Sequence, residues 1–536
     1  MNVSEYIILT ALEQKNISEK KLDAIKRQAA FKYKTKIPKN IILLQAYHKL
    51  LNSHKIKKSI ILENLLKTRK IRTLSGIVSI TVITKPYYCP GKCLYCPQEK
   101  DMPKSYLANE PACMRAVLTK FDPFKQVDAR LKSLKMTGHT TDKIELIVLG
   151  GTWSAYPKNY QNWFIKRCFD ACNGKDSKSL KTAQKRNERA KNRIIGLTLE
   201  TRPDFINSKE IKTMRELGCT RVEVGVQSIY DDILKKNKRG HGIKQAIKAT
   251  QLLKDAGFKI TYHMMPNLPG SNLKKDEKMF RELFSNSNFQ PDQLKIYPCI
   301  VLKTAPLYKL WKQGKYKPYT EKQLINLLIK IKEKIPPYVR IVRIIRDIPS
   351  QSIVAGNKVS NLREIIKSEM RKRGKKCRCI RCREIQNLKL EIRNLKLVRR
   401  DYKASKGIEI FLSFEDTKND KILAFLRLRL ARRSLGEGGI TSSWTLPVLK
   451  NSALIRELHT YGLTVPISKK IKTAQQHKSL GKKLMMEAEK IVRNEFGKKT
   501  CPERIRGIAV ISGIGVREYY RKLGYKLKNE YMIKNL

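Results

Sequence analysis

The sequence predicts an α/β fold in three parts: a parallel sheet closing into a full or partial β/α barrel, a smaller α+β domain after it, and a short helical module before it. Three observations carry this expectation. From about residue 71, six short β-branched runs alternate with amphipathic stretches, the pattern of a parallel sheet with helical crossovers. Beyond about residue 396 the order changes to strands, one long amphipathic helix, a strand and a short helix. The first 70 residues are lysine-rich, with apolar residues at helical spacing. At 536 residues the chain is also too long for a single core.

In chain order, Ile7, Leu9 and Leu12, then Ile41, Ile42 and Leu44, then Leu62, Leu65 and Leu66 mark the helical module over residues 1–70. It reads either as a nucleic-acid arm or as a solvated basic bundle. The barrel domain spans 71–367, with strands expected in GIVSITVIT, IELIVLGG, IIGLTLETRP, RVEVGVQS, KITYHMMP and QLKIYPCIV. NGKDSKSLKTAQKRNERAKNR is a polar, basic excursion between two of them. Residues 368–395 hold a cysteine-rich linker, and 396–536 form the α+β domain, interrupted by the Gly/Ser-bearing loop ARRSLGEGGITSSWTLPVLKNSA.

Net charge is +66, from 113 Lys+Arg against 47 Asp+Glu. A lysine-rich compositional habit accounts for part of this, but the scarcity of acids favours a polyanionic partner such as nucleic acid. No apolar run approaches the ~20 residues of a membrane helix. The N-terminus lacks the pattern of a signal peptide. Twelve cysteines without an export signal fit a reducing cytoplasm, where they bind metal or stay free.

Cys89, Cys93 and Cys96 lie in KPYYCPGKCLYCPQE with spacing C-x3-C-x2-C. Four cysteines close a [4Fe–4S] cluster; three leave one iron open, as radical S-adenosylmethionine (SAM) enzymes require. A zinc knuckle is the rival reading, and the prolines, the glycine and Tyr95 before the third cysteine favour the cluster. The triplet directly follows the first strand, so it falls at the C-terminal face of the barrel, where such folds place their chemistry. Gly150 and Gly151 end the second strand and admit close approach of a ligand. Glu200, Arg202, Glu223 and Gln227 end the next strands. Charged residues in apolar strands need partners, so Glu200, Arg202 and Glu223 form either an ion-pair network or a set positioning SAM or substrate.

Cys377, Cys379 and Cys382, spaced C-x-C-x2-C among arginines, suggest zinc, with Cys299 as candidate fourth ligand. Cys113, Cys168, Cys172, Cys219 and Cys501 lack such spacing and read as structural. In AQQHKSLGKKLMMEAEK, Gln476, Ser479 and Gly481 open an amphipathic helix. Free N–H groups at such a turn bind pyrophosphate, and the pattern partly matches the Q/R-x-x-G-x-G/A turn with which GNAT acetyltransferases bind coenzyme A. Ser479 stands at the first glycine and would also serve as an ordinary helix cap.

From KIRTLSG to the C-terminus the chain resembles the Elongator catalytic-subunit family, a radical SAM barrel fused to a GNAT domain that modifies tRNA wobble uridines. The matches, in order, are TKPYYCPGKCLYCP, VLGGT, ETRPD, CTRVEVGVQS, GHGI, HMMPNLPG, LKIYP, RDIPS, NLRE, RELHTYG, VISGIGVREYY and KLGY. The resemblance implies a [4Fe–4S] cluster on Cys89, Cys93 and Cys96 with SAM on its open iron; the strand-end residues Gly150, Gly151, Glu223 and Gln227 are the candidate SAM contacts, and the second cysteine group the candidate zinc site. It implies acetyl-CoA on Lys143, on Glu457, Leu458, His459 and Thr460, and on Gln476, Leu480, Gly481 and Lys482. Tyr520 would orient the thioester, and Glu200 and Arg202 would join it as catalytic residues. In the family's proposed mechanism a 5′-deoxyadenosyl radical takes hydrogen from the acetyl methyl group, the carbon radical adds to uridine C5, and thioester hydrolysis leaves a carboxymethyl group. The implied partners are tRNA and acetyl-CoA, with no membrane, and either a homodimer or Elongator-type subunits. Two readings compete: a protein lysine acetyltransferase using only the C-terminal domain, and a tRNA-binding scaffold with a structural cluster.

Overall fold

The computed structural model describes residues 2–67, 76–385, 394–431, 446–461, 479–497 and 505–536. Gln476, Cys501, the TRKIRTL run and most of the Gly/Ser-bearing loop lie outside them.

Four helices, Val3–Glu13, Glu19–Lys32, Asn40–Asn52 and Ile60–Leu66, form the N-terminal module. Asn2 and Glu5 make a reciprocal capping box at the first helix, and Ser18 and Ser59 cap the second and fourth. Their apolar faces meet around Ile7, Leu22, Leu43, Tyr47 and Leu62.

Seven parallel strands follow, in sheet order Val78–Ile83, Lys143–Leu149, Arg193–Thr201, Arg221–Gln227, Lys259–Met264, Gln293–Ile296 and Arg340–Arg343. They run in chain order from edge to edge, forming the expected half-barrel. Six are the expected runs. The seventh, Arg-Ile-Val-Arg, is too short and too charged to give an apolar signal. The basic excursion contains the helix Leu180–Asn187, capped by Ser179. Its last residue, Asn187, is buried and accepts from the backbone N–H of Ile194, tying the excursion to the third strand.

The C-terminal part is a second seven-stranded sheet, in order Leu395–Ala404, Gly407–Asp416, Lys421–Ala431, Ser452–Thr460, Gly507–Val510, Tyr531–Asn535 and Lys526–Lys528. The helix Leu480–Ile491 packs on it through Leu480, Leu484, Met485 and Ala488. All pairs are antiparallel except Ser452–Thr460 with Gly507–Val510. That parallel pairing stops at Ile455, so among the described residues Glu457–Thr460 is paired along one side only, with Arg456 at the bulge before it. The fold is consistent with a GNAT-like domain.

This sheet docks under the N-terminal ends of the half-barrel strands. Arg456 is fully buried and reaches Asp292 at 2.5 and 3.0 Å, Glu409 at 2.8 Å and the Phe258 carbonyl at 2.6 Å. Arg429 reaches Asp255 and Glu409, Lys259 reaches Glu457, and Tyr531 donates to the Ala256 carbonyl. Each half-barrel partner lies at, or just before, the start of a strand. The strand Ser452–Thr460 thus floors one end of the half-barrel.

Candidate active site

The opposite end is roofed by the loop after the edge strand Val78–Ile83. Thr84 continues the ladder by donating its N–H to the Leu149 carbonyl at 3.0 Å. Its hydroxyl lies 2.7 Å from the Tyr156 hydroxyl, which also donates to the Lys85 carbonyl at 2.7 Å. Gly150 packs here: its φ is +141°, and a Cβ on it would collide with Thr84 Oγ1. The close approach that Gly150 permits is therefore used by the protein itself. Gly151, at φ +92°, has the Lys104 carbonyl as its nearest neighbour.

Cys89 Sγ sits 3.5 Å from Thr152 Oγ1, just after this pair of strand ends. Cys93 accepts from Arg239 Nη1 at 3.4 Å. A hydrogen bond from Cys96 and the Arg239 guanidinium hold the Cys93 thiol well below its ordinary pKa. Arg239 crosses Gly225, whose carbonyl accepts from Nη2 at 2.5 Å and where a Cβ would meet the guanidinium. Arg202 binds Asp204 as a fork, Nε to Oδ1 at 2.9 Å and Nη2 to Oδ2 at 2.8 Å, and its Nη1 abuts Gly91 in the cysteine loop. His241 is held well below neutrality, to about 4, by burial and by Arg239, so it is uncharged at pH 7.

Several buried polar atoms here have no hydrogen-bond partner among the described residues: Arg202 Nη1, Arg239 Nε, His241 Nε2 and Gln227 Oε1. Gln227 also holds a left-handed backbone at φ +71° in the irregular end of its strand, the kind of strain that clusters at ligand sites. Buried donors without partners cost about 1–3 kcal/mol each. Three thiols, two guanidinium groups and this mix of unpartnered donors and acceptors suit an anionic iron–sulfur group carrying a polar ligand.

The remaining expected residues are used differently. Glu223 is buried, accepts from His263 Nε2 at 2.8 Å and pairs with Lys295, which holds its carboxyl far below the usual range. Glu200 accepts from Tyr106 Oη at 2.5 Å, with His263 Nδ1 at 3.5 Å. Glu200 and Glu223 therefore belong to an ion-pair network in the lumen, the structural alternative for them. Arg202 stands apart from that network. Below it, Arg221 pairs with Glu145 at 2.7 Å and donates to Thr198. Arg221 and Lys259 both hold the Glu145 carboxyl down, and Lys259 pairs with Glu457, so the polar column runs down to the floor strand.

On the floor, Glu457 pairs with Arg427 at 2.9 Å. With Lys259 also near, its carboxyl is held down to about 2. Burial pushes His459 down to about 4 and leaves its Nε2 without a partner. Gly481, in the first turn of the helix, lies beside Thr460 and Leu458: a Cβ there would sit 3.6 and 3.9 Å from their side chains. The open strand edge and the helix start, separate in sequence, are thus adjacent. Ser479 holds the turn at φ +57° and makes no side-chain cap bond, so it fills a glycine conformation rather than capping the helix. Lys143 starts its strand opposite Arg193, which packs against Gly515 of the C-terminal sheet domain, and burial lowers its pKa.

One expectation is corrected, and another residue gains a neighbour. Cys299 does not join the second cysteine group. It is buried with Cys93, Tyr95 and Val301 and hydrogen-bonded with Tyr316, and burial pushes it up to about 12. The Sγ atoms of Cys377, Cys379 and Cys382 lie within 4.8 Å of one another without it. Zn–S bonds of about 2.3 Å in a tetrahedron space sulfurs about 3.8 Å apart, and this group alone among the described residues has that closeness. Tyr520 is buried in the core of the C-terminal domain. The hydroxyl beside Gly481, 3.3 Å from where its Cβ would be, is that of Tyr519, a residue 38% exposed. The sequence offers two adjacent tyrosines, and helix phase alone decides which faces the strand edge. Sequence reasoning also missed Arg239, Glu145, His263 and Lys295, whose signal was their alternate positions on strands or in the GHG-flanked turn.

A half-barrel with a three-cysteine loop defines a radical SAM domain, here joined to a sheet domain with an open strand edge that is consistent with a GNAT-like fold. Family models agree: residues 83–283 match the Radical SAM superfamily and 291–372 the Radical_SAM C-terminal domain. That domain implies a [4Fe–4S] cluster and SAM. The tRNA uridine(34) acetyltransferase of Methanocaldococcus infernus is 46% identical over 549 residues, covering 100% of this chain and 98% of the relative. Human Elongator complex protein 3 is 42% identical over 491 residues, covering 88% and 86%. The solved structure of archaeal Methanocaldococcus infernus Elp3 with an N-terminal deletion superposes with a TM-score of 0.73 at 47% identity, covering 87% of this chain and 100% of that one. The chain belongs to the family of tRNA uridine(34) acetyltransferases and Elongator catalytic subunits. No helix among the described residues is long and apolar enough to cross a membrane.

Proposed function

We propose that this protein carboxymethylates C5 of the wobble uridine of tRNA, using acetyl-CoA and a SAM-derived radical. The reading is carried by one arrangement: the cysteine loop and the open strand edge face the two ends of one polar lumen. The printed names of the relatives, tRNA uridine(34) acetyltransferase and Elongator complex protein 3, support the substrate.

In this reading Cys89, Cys93 and Cys96 hold the cluster, and Gly151 and Gln227 lie where SAM would bind. When bound, this pair supplies a 5′-deoxyadenosyl radical able to take hydrogen from an acetyl methyl group, chemistry that belongs to the cofactor. Arg239 and Arg202 balance the negative charge of the thiolates. Backbone groups of Glu457, Leu458, His459 and Thr460 hold the pantetheine by adding a partner to the open edge. The N–H groups of Leu480, Gly481 and Lys482 take the pyrophosphate, and Lys143 a further CoA contact. Tyr520 orients the thioester, with the Tyr519 hydroxyl beside Gly481 as a second contact. The Glu200–His263–Glu223–Lys295 network keeps the lumen polar and rigid. Cys377, Cys379 and Cys382 hold zinc between the half-barrel and the C-terminal sheet, where the adjoining Glu384 pairs with Arg340 at 2.5 Å.

The test is reconstitution of the cluster without oxygen, followed by incubation with SAM, reductant, acetyl-CoA and tRNA, and mass spectrometry of the nucleosides. Formation of 5-carboxymethyluridine is expected, with loss of product in Cys93→Ala and little change in tRNA binding. Unmodified tRNA with an intact cluster, together with acetylation of peptide lysines, would overturn the reading.

A further inference from the structure

A ladder of aromatic rings begins at the cysteine loop and crosses the rim of the half-barrel. Tyr87 stacks on Tyr156 with centroids 4.9 Å apart, Tyr156 on Tyr160 at 5.1 Å, and Tyr160 approaches Trp163 at 5.6 Å. Lys85 Nζ lies over the Tyr160 ring, 5.0 Å from its centroid.

The inner rings have a structural task. Tyr156 is buried and its hydroxyl fixes Thr84 and Lys85, while the Tyr160 hydroxyl accepts from the Lys85 N–H at 3.1 Å. The outer rings do not share it. Tyr87 is 41% exposed, Tyr88 73% and Trp163 43%. No hydrogen bond or ring partner is seen for Tyr88 among the described residues. Large rings left in water beside a reactive loop are a binding surface in waiting. Lys85 lies on the ladder and Lys92 in the same cysteine loop, both exposed and without a carboxylate partner among the described residues. Tyr88 immediately precedes Cys89, so whatever stacks there lies against the loop itself.

We infer that Tyr87, Tyr88 and Trp163, together with Lys85 and Lys92, form a stacking platform for unpaired bases of an RNA loop delivered to the cysteine-loop end of the lumen. The inference rests on the proposed tRNA substrate and deepens it. Sequence-tolerant recognition of single-stranded RNA combines aromatic faces with cations on the backbone. A duplex keeps its bases stacked inside and offers none to the platform. An acidic peptide would use the lysines and leave the rings idle. The chain's net charge of +66 supplies the nonspecific attraction, and the platform adds discrimination between looped and paired RNA.

The test is fluorescence anisotropy of the full-length, cluster-loaded protein with two labelled RNAs, an anticodon stem-loop and a blunt duplex of equal length, over a range of salt. Tyr88→Ala and Trp163→Ala should each weaken stem-loop binding about tenfold, with duplex affinity and the slope of log affinity against log salt unchanged. Tyr88→Phe and Trp163→Phe, which keep the ring, should restore binding. Lys85→Ala should weaken both RNAs and reduce the salt slope by about one. Circular dichroism melting of each variant reports on folding, and the Phe variants separate lost stacking from lost structure. Wild-type affinity for the stem-loop in both Ala variants overturns the platform and leaves the tRNA reading standing. Equal loss for stem-loop and duplex overturns it as well. A wild-type protein that binds neither RNA overturns the tRNA reading, and the platform with it.

Discussion

Arg239 is buried with no carboxylate partner among the described residues, donating to Cys93 Sγ at 3.4 Å and to the Gly225 carbonyl. An uncompensated buried cation costs several kcal/mol, so its natural counter-charge is the thiolate set. Hydrogen bonds and positive charge at the sulfurs favour the reduced cluster. Arg239→Gln should retain iron but lower the midpoint potential by about 59 mV, a tenfold shift for one electron; an unchanged midpoint in an EPR-monitored titration would remove that role. Ser479 poses a backbone question. At φ +57° a side chain costs about 1–2 kcal/mol, and glycine returns about 0.4–1 kcal/mol as chain entropy. Ser479→Gly should therefore stabilise the protein by about 0.5–1 kcal/mol in urea titration and tighten acetyl-CoA binding. His459 sets a pH dependence. Its folded pKa is depressed to about 4, so below pH 6.5 the unfolded chain takes up the proton first and stability falls as pH drops from 6.5 to 4. The loss amounts to roughly 3 kcal/mol if the whole shift is realised. His459→Gln should flatten the stability profile across that window in denaturant titrations at stepped pH.

At the scale of elements, legibility followed the strength of the periodic signal. Six half-barrel strands are long β-branched runs and were readable; Arg340–Arg343 was not, because two of its four residues are arginines. The cysteine loop was legible from spacing because ligand geometry is local. The partners that tune it were not, since Arg239 and Arg202 come from turns after two other strands and meet Gly91 and Cys93 only in three dimensions. Cys299 shows the converse failure. It is the cysteine that precedes the second group in chain order, yet chain order says nothing of the core it joins beside Cys93. The Glu200–Glu223 network was legible as a choice between two roles, and its solution required Lys295 and His263 from neighbouring strands. The Tyr519–Tyr520 pair turned on helix phase, which a five-residue helix, Arg517–Arg521, is too short to display as periodicity.

The whole molecule is held as one unit by the buried contact between the half-barrel and the C-terminal sheet. Arg456, Asp292, Glu409 and Lys254 are all essentially inaccessible to water, and two of their pairings, Arg456–Asp292 and Lys254–Glu409, cross the interface. Removing one partner of such a network typically costs about 3–5 kcal/mol, because the others remain buried and unpaired. Arg456→Met should accordingly lower the melting temperature and split a single calorimetric transition into two, as the C-terminal sheet melts apart from the half-barrel; one unshifted transition would show that apolar contacts alone join them. This rigid docking matters to the chemistry because it sets the floor strand, with its open edge, opposite the cysteine loop. The central claim is that one lumen brings an acetyl methyl group to a SAM-derived radical. Acetyl-CoA deuterated at the acetyl methyl group tests it most directly: in the presence of SAM, reductant and tRNA, deuterium is expected in the 5′-deoxyadenosine released, as read by mass spectrometry, whereas 5′-deoxyadenosine free of deuterium beside modified tRNA would contradict it.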